Sequence, residues 1–416
     1  RPDARYGGEL LMRAVQFDFS MSRYAYTKAA GALRPSEFYG PRSCVHLNDV
    51  PEPTIRGPHW LKLRSVLSGI CGSDMGAVLL HDSPTIQAFA SFPFTFGHEN
   101  YSVVEEVGQA VKCVVPGDRV VVIPLLGCAT RDIEPMCGPC SSGFVGACEN
   151  FAEGSLAPGT NTGFCRDTGG GWSKYYLAHE SQIVKVPDGM TDEQAVMIEP
   201  FCSALHPVMR GLPADGDSVL VIGAGVIGLG VVAAIRALGV DCHIAVSEPM
   251  ARNRSEALAK GADETIDPES ESLYERAGAI TGARIYKPML EKKICMGGFD
   301  RVFDCVGSTG TVNDAFRLAA GSSTVVLIGI QVLKRLDWTP VWLKGITLIG
   351  NMCYGLADYE GQRVHSFDIA IDLIGKGKVD MSDIITHRFA LEEYREAIAL
   401  NMDKGANNMI KSVFEL

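Results

Sequence analysis

The feature that most restricts the fold of this chain is an apolar run, Ser218–Ile222, that stops at Gly223-Ala224-Gly225-Val226-Ile227-Gly228. A buried strand, a tight turn and a helix are the arrangement this spacing serves. The first glycine admits the turn, the second lets the backbone approach a pyrophosphate, and the third lets the helix pack closely on a sheet. The helix N-terminus then offers free N–H groups and a positive dipole end to phosphate. A glycine triplet alone is weak evidence, but here the flanks are in register. Glu248 lies 20 residues beyond Gly228, at the end of the next apolar run. An acid there accepts hydrogen bonds from both ribose hydroxyls and repels a 2′-phosphate, which favours NAD. Arg252 and Arg254 stand close enough to meet such a phosphate, so NADP stays open.

The texture of the chain changes twice. Residues 12–187 read as short β-branched or alternating strands bounded by Gly, Pro and Asp, the pattern of a barrel-like β domain with long loops. Residues 215–350 switch to buried strands alternating with helices, with strands expected at 218–222, 243–247, 264–266, 301–305, 324–328 and 346–349. Strands of this kind suit a parallel sheet covered on both faces. The fold class is therefore α/β, with a doubly wound parallel sheet beside a β domain. The expected division is 12–205 for the first domain, completed by 355–416, and 206–354 for the dinucleotide domain. Residues 1–11 read as an extension, and the basic stretch 280–298 as an inserted loop with a short helix.

Bulk properties exclude several classes. A net charge of −11 argues against nucleic acid or an anionic membrane as the main partner. No apolar run reaches the ~18 residues of a membrane span. The chain carries 13 cysteines and no recognisable signal sequence, which points to reduced thiols and a cytoplasmic protein.

Two short blocks look built for a metal. Cys71 lies in Gly69-Ile70-Cys71-Gly72-Ser73-Asp74, and His98 in Gly97-His98-Glu99. Farther on, Glu199 precedes Pro200. One thiolate, one imidazole and a carboxylate suit Zn²⁺ with a position left open for chemistry. Gly72 permits a turn that exposes the Cys71 thiolate, and Asp74 is placed to accept the second ring N–H of a ligand histidine. Zinc with a nicotinamide cofactor points to alcohol–carbonyl redox on a small molecule.

These blocks, with Gly223–Gly228 after them, follow the order and approximate spacing of the zinc-dependent medium-chain alcohol dehydrogenase superfamily, which the chain resembles over roughly residues 12–416. The resemblance implies a Rossmann doubly wound sheet and a GroES-like β-barrel catalytic domain. It implies Cys71 and His98 as ligands of a catalytic zinc, and Glu99 as an acid that exchanges with water on the metal. Ser73 becomes the hydroxyl that bonds the substrate oxygen. Glu199 falls at the third-ligand position, which is cysteine in the alcohol dehydrogenases proper, and an acid there resembles the sorbitol and polyol branch.

The implied reaction is hydride transfer between a secondary alcohol, polyol or sugar-like substrate and the nicotinamide. An NADPH-dependent aldehyde or ketone reductase is the alternative within the superfamily. A non-catalytic NAD(H)-binding protein would have no chemical need for Cys71, His98, Glu199 and Ser73 together. The resemblance also implies a homodimer or homotetramer. Cys137-Gly138-Pro139-Cys140 with Cys148 resembles the superfamily's structural-zinc lobe, with Glu134 or Cys128 as its fourth ligand. In one respect the chain departs from the pattern. Gly76 stands where members with this block usually carry a relay histidine, so the proton route beyond Ser73 stays open.

Overall fold

A computed structural model describes residues 10–290, 292–329 and 335–416. Of the expected extension, residues 1–9 lie outside the described residues, and Leu11 already opens the first strand, Leu11–Phe17. The chain divides into two units, one running to Glu199 and resuming at Ser382–Leu416, the other spanning Pro200–Met381.

The first unit is organised around one long strand, Trp60–Gly69. It pairs antiparallel with Asn100–Val107, with Tyr175–His179 and with the C-terminal strand Lys411–Glu415. Register decides what meets at its end. Ser68 stands opposite Asn100, and Gly69 opposite Val413. Because neighbours run in opposite directions, the residues leaving Gly69 emerge beside those entering Asn100 and Lys411. Cys71, His98, Glu99 and Lys411 are thus gathered at one end of the sheet from distant parts of the chain. Fully buried Trp172 supports that end, donating from Nε1 to Gly69 O at 3.2 Å. Its ring packs on Phe96 and Phe414, each 5.0 Å away. A smaller sheet places Leu11–Phe17 between Val45–Pro51 and Phe94–Thr95.

Between the first two strands the chain forms a helix, Met21–Leu33. Ser20 caps it by accepting from Arg23 N–H at 3.2 Å, a bond worth about 1 kcal/mol at such a position. Lys28 on this helix donates to Leu80 O at 2.6 Å.

The second unit contains a six-stranded, wholly parallel sheet. Its spatial order is Glu264–Ile266, His243–Ser247, Ser218–Ile222, Phe299–Asp304, Ala319–Leu327, Thr347–Gly350. In chain order that is 3-2-1-4-5-6, the doubly wound arrangement of dinucleotide-binding sheets. All six strands lie where the apolar runs put them, within a few residues. The stretch 280–298 differs from the expected loop with a short helix. It contains an antiparallel pair, Arg284–Tyr286 with Ile294–Met296, and residue 291 within the stretch lies outside the described residues. The pair forms because Cys295 is buried and Ile285 packs on the same core, an alternation of period two that the surrounding lysines obscured.

The C-terminal return begins at Ser382, and residues 355–381 pack within the second unit. The helix Ser366–Gly375 buries Phe367, Ile369, Ala370, Leu373 and Ile374 there, with Phe367 edge-on to Tyr354 at 5.0 Å.

Candidate functional site

The metal-type cluster grows out of the strand end just described. Cys71 is the N-cap of the short helix Gly72–Val78. Asp74, in its first turn and fully buried, accepts the Cys71 N–H on Oδ2 at 2.9 Å. The other oxygen, Oδ1, lies 3.3 Å from His98 Nδ1. One carboxylate therefore orients both residues. With Nδ1 facing Asp74, the imidazole leaves Nε2 directed to the start of the helix, the arrangement a metal-ligating histidine needs. Ser73 Oγ stands 3.3 Å from that Nε2. Gly97 has φ 98°, and a Cβ on it would lie 2.5 Å from the Trp172 ring. Only glycine lets His98 enter at this angle.

Ligand atoms of Cys71, His98 and Glu99 all lie within 4.8 Å of one another. The electrostatics are those of a site built around charge. Burial opposes protonation of His98, yet the Asp74 carboxylate 3.3 Å away, with Cys71 beside it, pushes its pKa well above the usual imidazole value. Burial likewise disfavours the Glu99 carboxylate, but the Lys411 ammonium and His98 hold its pKa below the ordinary range. Glu99 and Lys411 are both almost completely buried and directly hydrogen-bonded, and Lys411 Nζ also donates to Ile70 O at 3.2 Å. Glu199 is buried in the first turn of the helix Ile198–Arg210. Its carboxylate is not among the atoms gathered within that 4.8 Å, although its charge helps to raise Lys411. The sequence reading missed Lys411. Its signal was a single lysine inside the otherwise apolar terminal run Met409-Ile410-Lys411-Ser412-Val413-Phe414.

A second cluster gathers Cys128, Cys137, Cys140 and Cys148, again with sulfurs within 4.8 Å of one another. The fourth member is Cys128. Glu134 is exposed and outside the group. The longer loop this requires is folded by Arg131. Its fully buried guanidinium donates to the carbonyls of Leu126, Glu153, Leu156, Ala157 and Gly159 at 2.6–3.2 Å. N–H donors point at the sulfurs, from Cys137 N and Asn150 Nδ2 to Cys128 (3.4 and 3.2 Å) and from Asn150 N to Cys148 (3.3 Å). Burial raises Cys137, but backbone N–H groups at Glu149 and Cys140 bring it down to about 7. Burial pushes Cys148 up to about 11 and Cys140 higher. Four thiolates cannot share this volume without a cation, and four sulfurs are a tetrahedral Zn²⁺ donor set. The residues fit the metal.

In the second unit, Gly223 has φ 90°, and Gly228 leaves no room for a side chain, since a Cβ there would lie 1.8 Å from Gly223 O. A Cβ on Gly225 would meet nothing within 4 Å, which leaves that side of the turn open to a ligand. Ala224, Val226 and Ile227 complete the turn into the helix Val226–Ala237. Glu248 is buried just past the strand His243–Ser247 and accepts from Ala224 N–H at 2.7 Å and Met250 N–H at 2.9 Å. It thereby ties the glycine turn to the neighbouring strand. Arg254 is engaged by Asp267 at 3.2 Å and by the carbonyls of Glu248 and Pro249. Arg252 is exposed.

Comparison with known proteins agrees with both halves. Residues 57–188 match the alcohol dehydrogenase GroES-like domain, and residues 226–377 match the zinc-binding dehydrogenase domain. Sorbitol dehydrogenase 2 of Saccharomyces cerevisiae is 28% identical over 371 residues, covering 89% of this chain and 94% of that protein. Among solved structures, a zinc-binding dehydrogenase of Sinorhizobium meliloti 1021 bound to NADP aligns with TM-score 0.73 at 24% identity, covering 98% of this chain and 100% of its own. The alcohol dehydrogenase rspB of Escherichia coli CFT073, complexed with NADH, aligns with TM-score 0.73 at 23% identity, covering 98% and 99%. Among the described residues, no helix is long and apolar enough to cross a membrane.

Proposed function

We propose, because the chain belongs to the zinc-dependent medium-chain alcohol dehydrogenase superfamily, that it interconverts a secondary alcohol, polyol or sugar-like substrate and its carbonyl compound with a nicotinamide cofactor. The observation that carries this reading is the convergence of Cys71, His98 and Glu99 under the control of one buried carboxylate, Asp74. Cys71 and His98 would hold a catalytic zinc, with Glu99 and Glu199 as the carboxylates available to it. Zinc bound there supplies a Lewis acid to the substrate oxygen. Asp74 fixes the His98 tautomer and the Cys71 backbone, so the donor atoms are set before substrate arrives. With His98 Nε2 committed to a metal, the Ser73 hydroxyl would be free to accept the hydroxyl proton of the alcohol while passing on its own. Lys411 keeps Glu99 ionised and tethered beside the site.

The cofactor reading is NAD. Glu248 sits at the end of the second strand of the sheet, and Arg254 is occupied by Asp267 rather than free for a 2′-phosphate. Cys128, Cys137, Cys140 and Cys148 would hold a second, structural zinc. Assembly as a homodimer or homotetramer belongs to the same reading. Thr347–Gly350 is an end strand of its sheet, and Trp338, Trp342 and Leu343, at and within the helix that leads into it, are exposed.

The test is a panel of secondary alcohols and sugar alcohols offered with NAD and with NADP, read at the absorbance of the reduced cofactor. Turnover with NAD supports the reading. Stoichiometric NAD(H) binding without turnover of any alcohol, in protein carrying zinc, would refute it.

A further inference from the structure

The helix Gly72–Val78 closes on a residue that is left-handed without being glycine. Leu80 has φ 56°, a conformation that costs a side-chain-bearing residue about 1–2 kcal/mol. The closure is a Schellman motif, with His81 N–H bonded to Gly76 O at 2.8 Å and Leu80 N–H to Ala77 O at 3.1 Å. Lys28, on the helix Met21–Leu33, holds the Leu80 carbonyl at 2.6 Å. The turn carries the chain back alongside its own helix. Asp82 then sits against Gly76, its Oδ1 2.7 Å from the point where a Cβ on Gly76 would stand. Ser73 and Gly76 are three residues apart and share one helix face, with Cβ positions about 5–6 Å apart. A carboxylate at Gly76 is therefore within the span that one bridging water covers from Ser73. Asp82 as a whole residue is exposed while its carboxyl is turned inward against Gly76, so a proton reaching it has a way out.

We propose that Asp82 takes the place of the absent side chain at Gly76 and receives the proton beyond Ser73. This rests on the alcohol-oxidation reading above. In that direction the carbinol C–H bond breaks, and its hydrogen leaves with the electron pair for the nicotinamide, giving the carbonyl compound and NADH. The hydroxyl proton passes to Ser73. The Ser73 proton passes through water to the Asp82 carboxylate, which releases it to solvent. The sum is alcohol plus NAD⁺ giving carbonyl compound, NADH and H⁺. Burial of the carboxyl and the nearby Asp74 charge raise Asp82 to about 6, so it is ionised and able to accept at neutral pH. Lys28 and His81 are the other titratable groups around this turn.

The experiment uses the zinc-loaded protein, NAD and the fastest alcohol of the panel. Asp82→Asn should lower kcat about 100-fold with little change in KM, the lower end of what one proton-transfer partner contributes. It should remove an ionisation near pH 6 from the kcat profile. Small carboxylate buffers should restore rate in proportion to their concentration, and Asp82→Glu should retain most of it. A carboxyl ¹³C resonance titrating near pH 6 in the wild type should vanish in Asp82→Asn. Gly76→Ala, tolerated by a helix, should reproduce the loss by pushing the carboxylate aside. A wild type that turns over alcohol while both variants keep its rate and pH profile would overturn the relay alone. A zinc-loaded wild type that oxidises no alcohol would overturn the functional reading, and the relay with it.

Discussion

Replacing Asp74 by Asn tests how much of the metal site depends on one buried group. Asparagine keeps the shape and can still accept the Cys71 N–H now bonded to Oδ2 at 2.9 Å. It then presents its amide N–H₂ to His98 Nδ1, where a carboxylate oxygen stood 3.3 Å away. A donor facing Nδ1 selects the tautomer with its proton on Nε2, the nitrogen a metal needs free. Loss of such an orienting partner costs about 10- to 100-fold in metal affinity, or roughly 1.4–2.7 kcal/mol. Two methods measure the outcome: zinc affinity by competition with a chromophoric chelator, and thermal melts with and without zinc. Asp74→Asn should weaken one of two zinc sites by that factor and shrink the zinc-dependent rise in Tm. A folded variant with wild-type affinity at both sites would refute the claim that Asp74 sets the geometry.

The other predictions concern different parts of the molecule. Cys128→Ser should lower zinc content from two per chain to about one, whereas Glu134→Gln should leave it at two, as metal analysis would show. Arg131→Met strands five carbonyls, of which those of Leu126, Leu156 and Gly159 are buried and each worth roughly 1–3 kcal/mol when unsatisfied, so it should lower Tm sharply and release zinc from the cysteine lobe while the parallel sheet keeps its circular dichroism. Burial, with Arg210 and His365 nearby, lowers His206 to about 4. Because its folded pKa lies below the unfolded value, its stabilising effect is complete above pH ~6.5 and is lost as pH falls toward 4. Wild type should lose about 2 kcal/mol more than His206→Gln between pH 7 and pH 5 in urea denaturation, and equal losses would show that His206 does not titrate on unfolding.

Much of the fold is written in the chain at short range. Ser218–Ile222 with its glycine turn, and the apolar runs after it, locate all six parallel strands, because strands buried on both faces show as unbroken hydrophobic runs. Asp74 was legible as the partner of the ligand histidine's second ring nitrogen, but its hold on the Cys71 N–H was not. What depended on register or long-range packing was not legible. Lys411 meets Glu99 only because a C-terminal strand pairs beside Trp60–Gly69. Cys128 joins the cysteine lobe only because Arg131 folds the loop between them, whereas spacing alone favoured Glu134. The helix Met21–Leu33 was hidden because its polar and apolar residues alternate without a clear stripe, and its hold on Leu80 could not be read from either segment.

The most direct test of the central claim is alcohol-dependent formation of reduced nicotinamide by zinc-loaded protein, repeated after chelation and in Cys71→Ala. Turnover should stop on chelation, return with added zinc, and be absent from Cys71→Ala. Turnover that persists without zinc, or in a folded Cys71→Ala variant, would contradict the assignment of chemistry to the Cys71–His98 centre.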